Sequence, residues 1–144
     1  MARGLAYITR TLPAGPATCA SSSTPAASAT AGPTATTVLF AHANGFCKEC
    51  FLPLWDELAA LTNALSLSLP TPVRLVAFDI SGHGDSVPVA GPDCDWRRVA
   101  AGDVKAMLEE MQGQDQGFFL GVGHSLVRTM AESGGCLLVR VGGV

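Results

Sequence analysis

Phe118-Phe119-Leu120-Gly121-Val122-Gly123-His124-Ser125-Leu126 is the stretch that decides how this 144-residue chain is read. Gly117–Gly123 is an apolar run of strand length, and Ser125 begins a stretch with helical potential. A serine at such a junction projects from a sharp strand-to-helix turn, which needs small residues two positions away, and Gly123 is one. The hydroxyl then lies at a helix N-terminus, where backbone N–H groups can stabilise an oxyanion. Gly-x-Ser alone fits a structural turn equally well, so its meaning depends on the sequence upstream.

Two earlier segments have the same strand-then-turn form. Val38–Ala41 is a short apolar run that ends in His42-Ala43-Asn44-Gly45-Phe46, and Val73–Phe78 is a second buried-strand candidate, closed by Asp79-Ile80-Ser81-Gly82-His83-Gly84-Asp85-Ser86. Helical spacing fills the intervals. Phe51, Leu54, Trp55, Leu58, Ala59 and Leu61 follow the first strand, with Pro53 tolerable in a first turn. Trp96, Val99, Ala100, Val104, Met107, Leu108 and Met111 follow the second, behind Asp95 as N-cap. Alternating strand and helix signals predict an α/β fold with a parallel sheet core and flanking helices, with strands near 37–42, 73–79 and 117–123.

Taken together, in this order and at this spacing, the three turn segments resemble the α/β-hydrolase family over about Thr37 to Leu126. His42-Ala43-Asn44-Gly45-Phe46-Cys47-Lys48-Glu49, with Leu54-Trp55-Asp56-Glu57-Leu58, is similar to a subgroup that includes peroxisomal lipase-like hydrolases. The resemblance implies a serine hydrolase for a carboxylic ester or lipid, with Ser125 as nucleophile and no cofactor or metal. It implies an oxyanion hole from the backbone N–H groups of Leu126 and Phe46, where one donor is worth about 3 kcal/mol. His42, Gly45, Asp79, Gly82, His83, Gly84, Gly123 and His124 fall on motif positions that shape the loops, and Asp85 on a turn position. In Cys47-Lys48-Glu49-Cys50, zinc would need a second ligand pair that the chain does not have, and a redox pair would want thioredoxin-like surroundings.

Beyond Leu126 the chain departs from the family. Val127 and Arg128 stand where two small residues are usual, and a β-branched side chain there crowds the turn. The triad order is serine, acid, histidine. After Ser125 comes one acid, Glu132, and no histidine. The expectation is a partial fold, truncated after the nucleophile elbow, whose divergent end reads as intron read-through or a frameshift from Val127. A genuine short protein that keeps the half-fold as a non-catalytic binding module is the alternative. The implied domains are 1–36, 37–133 and a divergent tail, 134–144.

The N-terminal segment has two readings. Every residue from Pro13 to Thr37 is Pro, Ala, Gly, Thr, Ser or Cys, with nothing large to bury against the entropy of ordering, so it is expected to be unstructured. Arg3 and Arg10 precede the first acid, Glu49, a composition that suits a plastid or mitochondrial transit peptide. Otherwise Leu5–Leu12 is a first strand followed by a low-complexity insertion, and peroxisome or cytoplasm are the alternative locations. Five cysteines, an odd number, favour a reducing compartment over a disulfide framework. Net charge −3 gives no footprint for nucleic acid. No apolar run reaches the ~18 residues of a membrane span. Oligomeric state is not legible.

Overall fold

The computed structural model describes residues 4–14, 35–67, 69–89, 91, 94–112 and 118–123. Four strands, β1 (Tyr7–Leu12), β2 (Thr36–Ala41), β3 (Val73–Phe78) and β4 (Phe118–Gly123), form one mixed sheet in the order β1-β3-β2-β4. Two helices flank it, α1 (Leu52–Ala64), entered through a short 3-10 turn at Lys48–Phe51, and α2 (Trp96–Gln112).

β2, β3 and β4 are parallel, at the places the apolar runs predict. The sheet is not wholly parallel, because β1 pairs antiparallel with β3, Tyr7 opposite Phe78 and Leu12 opposite Val73. Leu5–Leu12 thus supplies a strand, and Leu5 and Leu12 are both buried. β2 starts at Thr36, so Thr36 and Thr37 belong to the sheet and not to the unstructured segment expected there. The rest of that segment, from residue 15 to 34, lies outside the described residues, as does everything after Gly123.

Strand alternation divides the core in two. Leu39, Ala41, Val76, Phe78 and Phe119 gather with Ala100, Met107 and Met111 of α2. Phe40, Leu75, Ala77 and Leu12 gather with Trp55 of α1. The sheet is therefore sandwiched between the helices. Asp95 caps α2 as its position predicts, its Oδ1 accepting the Arg97 and Arg98 N–H groups at 3.1 and 3.3 Å. Helix α1 differs from expectation in one respect. Leu54 and Leu61 are 45% and 52% exposed, because the inward stripe runs through Leu52, Trp55, Leu58 and Ala59 and leaves those two leucines off it.

Trp55 is 1% exposed, edge-on to Phe40 at 5.7 Å between centroids, with the Arg10 guanidinium over its ring at 5.9 Å. Its indole N–H has no hydrogen-bond partner among the described residues, so its contribution is packing. Trp55→Ala is expected to cost about 3–5 kcal/mol in urea denaturation. Trp55→Phe, which removes the unpaired donor, should cost clearly less. Leu61→Ala should stay within about 0.5 kcal/mol.

Candidate functional site

Parallel pairing in register brings three strand ends level. Ala41, the last residue of β2, pairs with Phe78 at the end of β3 and with Gly123 at the end of β4. In open α/β sheets this carboxyl edge is where ligands bind. The loops leaving it begin with His42 after β2 and Asp79 after β3. His124, Ser125 and Leu126, which follow β4 in sequence, lie outside the described residues.

Asp79 is fully buried. An ionised carboxylate survives there only if donors replace its lost hydration. Its Oδ1 accepts the Lys48 backbone N–H at 2.6 Å, and its Oδ2 accepts Lys48 Nζ at 2.8 Å and the Asp85 N–H at 2.9 Å. Lys48 is itself 4% exposed, and its ammonium also reaches Asp85 at 2.7 Å and Glu49 at 2.8 Å. Burial pushes the Lys48 pKa down, but the bonds to Asp79, Asp85 and Glu49 outweigh it and raise it overall. Burial pushes the Asp79 carboxyl up, and its bonds from Lys48 and the Asp85 amide reverse that, holding it below the ordinary range. The result is a charged clamp between the β2 and β3 loops. Gly84 makes room for it: its φ is +48°, and a Cβ there would run into the Asp79 carboxylate.

His42 is a second tie between the same loops. It is completely buried; Nδ1 donates to Ala43 O at 2.8 Å and Nε2 accepts the Ile80 N–H at 3.1 Å. Accepting that N–H fixes the neutral tautomer, so the 3.8 Å approach of Nε2 to Asp79 Oδ1 is not an ion pair. Burial, reinforced by His83, lowers the His42 pKa; the Ala43 bond and the Asp79 charge oppose without reversing it. His83 meets Asn44 Oδ1 through Nε2 at 2.9 Å, its ring between His42 and Trp96 at 5.1 and 5.3 Å. His42, with one nitrogen donating and the other accepting, has no free lone pair to offer as a base.

The Phe46 N–H donates to Ala43 O at 3.1 Å, closing the turn in which Gly45 takes φ +79°. The amide carried over as an oxyanion donor is thus engaged inside its own loop. Ser86 secures the other loop, Oγ donating to Asp79 O at 2.7 Å and accepting the Ala6 N–H at 2.9 Å. A groove of about 680 Å³ between residues 81–89 and α2 is lined by Ser81, Val87, Val89 and Arg98 but not by His42, Asn44 or Phe46, so it is separate from the strand ends. Among the described residues no three metal-capable side chains gather, and no helix is long and apolar enough to cross a membrane.

Residues 38–126, more than half of the chain, match the alpha/beta hydrolase family. The chain belongs to that family. No curated protein matches it. Within the family segment, sequence reasoning placed His42, Asp79, His83 and the glycines at loop positions but missed Lys48 and Asp103. Asp103 Oδ2 and Oδ1 accept the Ser81 N–H and hydroxyl at 2.7 and 3.1 Å. It could have been found: it is an acid among Val99, Ala100, Ala106 and Met107 on the inward side of α2, where a carboxylate needs a partner. Lys48 gave no such signal, since its partners lie 31 and 37 residues away.

Two outcomes are expected. Gly84→Ala should lose at least about 2 kcal/mol, combining backbone strain with displacement of Asp79. His42, with its folded pKa below the ordinary 6.5, contributes stability that is complete above pH 6.5. Below that pH only the unfolded chain takes up the proton, so the contribution fades as pH falls through the folded value. Urea midpoints measured against pH should therefore decline below pH 6.5, before the carboxylate range is reached. The decline should persist in His83→Asn and shrink in His42→Asn.

Proposed function

We propose that the chain carries the nucleophile, Ser125, and the oxyanion elements of a serine hydrolase of the alpha/beta hydrolase family that acts on a carboxylic ester or lipid. The observation that carries this reading is the level ending of β2 and β4, Ala41 beside Gly123. That register brings the His42–Phe46 loop next to the point from which Ser125 is reached in two residues. Amides of Leu126 and of the loop around Phe46 are the proposed oxyanion donors. The Phe46 N–H now serves a neutral carbonyl, and an oxyanion is the stronger acceptor and competes for it.

Proton transfer is the step these residues do not complete. His42 and His83 are engaged, His124 adjoins the serine, and Glu132 is the sole acid after it. A second reading, a half-fold that binds without turning over, rests on the engagement of His42 and on the tie of His83 to Asn44.

One experiment separates the readings. The chain is treated with p-nitrophenyl acetate or an alkyl fluorophosphonate, and adducts are mapped by peptide mass spectrometry. Oxyanion stabilisation without a base still leaves about 10³-fold over water in triad hydrolases. Ser125 should therefore be acylated selectively, faster as pH rises, with no multiple-turnover release of p-nitrophenol, and Ser125→Ala should abolish the adduct. Label spread evenly over the chain's serines would contradict the nucleophile assignment. Turnover lost in Ser125→Ala would overturn the claim that a base is missing.

A further inference from the structure

Cys47 and Cys50 take no part in the reading above. Cys47 is the half-buried residue that precedes the 3-10 turn, in extended conformation with φ −140° and ψ 168°, and Cys50 is the third residue of that turn and exposed. The Cys50 N–H donates to Cys47 O at 3.1 Å. Such a hydrogen-bonded four-residue turn keeps its first and fourth Cα atoms within about 7 Å. A disulfide needs roughly 4.4–6.8 Å. Both thiols are free, and Cys94, the other free thiol among the described residues, is in a different loop.

We propose that Cys47 and Cys50 form an oxidisable dithiol, which a small disulfide such as oxidised glutathione converts to an intrachain Cys47–Cys50 bond. The exposed Cys50 thiolate attacks the small disulfide, forming a mixed disulfide and expelling one glutathione thiolate. The Cys47 thiolate then attacks the Cys50 sulfur and expels the second. Two protein thiols lose two protons and two electrons, and one glutathione disulfide becomes two thiols. The closed ring spans Lys48 and Glu49, so it staples the turn that delivers Lys48 to Asp79.

The surroundings set the rate. The Cys47 thiol is pushed above its ordinary range first by its hydrogen bond to Glu49 and then by burial, and burial with the neighbouring Cys47 pushes Cys50 up. The reactive species is the thiolate, so closure is slow at neutral pH and gains roughly tenfold per pH unit below the thiol pKa. With no stabilised thiolate in the reduced form, the disulfide is not a strong oxidant.

The test uses the full chain in oxidised glutathione, acid-quenched, alkylated and digested. Chymotryptic cuts after Phe46 and Phe51 release the peptide 47–51. The expected product is lighter by two hydrogens and takes no alkylating agent, and a further tryptic cut after Lys48 leaves its halves joined until reduction. Formation should speed up roughly tenfold between pH 7 and pH 8. In Cys47→Ser, which cannot close, Cys50 should instead retain glutathione. The proposal fails if the native peptide carries glutathione on its cysteines without closing. It fails equally if Cys50 pairs with Cys19, Cys94 or Cys136.

Discussion

A single buried carboxylate organises this end of the sheet. Asp79 follows β3 at full burial, where an ionised carboxylate must be met by donors. Its donors come from the Lys48 amide and ammonium on one side and the Asp85 amide on the other. To supply them, the chain after β2 must turn back over β3 and the loop after β3 must pass close enough to need glycine at Gly84. A buried ion pair of this kind brings little net stability relative to apolar packing, since desolvation offsets most of the attraction. What it confers is position: the two loops have one low-energy arrangement, in which every donor meets its acceptor.

That arrangement matters because of what the loops border. Parallel register aligns the ends of β2, β3 and β4, and in open α/β sheets this carboxyl edge is where ligands bind. His42 adds a neutral tie to the charged one, bridging Ala43 and Ile80. Both ties are removed from solvent, so neither side chain is open to a substrate. The polar groups that look most reactive in the sequence are consumed in holding the loops, and the proposed chemistry falls to backbone amides and to Ser125.

Much of the fold was legible, for identifiable reasons. Val38–Ala41, Val73–Phe78 and Phe118–Gly123 are apolar except for Arg74, as suits strands covered by helices on both faces, and the long periodic stretch after Asp95 admits only a helix. The direction of β1 was not legible, because Tyr7–Leu12 alternates in a way that suits either orientation and only its pairing with β3 decides it. Leu54 and Leu61 misled for a related reason, since residues one position off the inward stripe satisfy the same spacing count. Within the site, local turn residues were readable from glycine and aspartate spacing. The clamp was not, because a lysine beside two cysteines on a polar turn carries no local mark of burial.

The central claim is that Lys48 and Asp79 act as one unit, and a double-mutant cycle in urea denaturation tests it most directly. Lys48→Met, Asp79→Asn and the double variant are compared with the unaltered chain. Each single change strands a buried polar partner, so the double variant should be little worse than either single, a coupling of about 2–3 kcal/mol. Single effects that add to within about 0.5 kcal/mol would show two independent groups, and the clamp would not be what holds the loops.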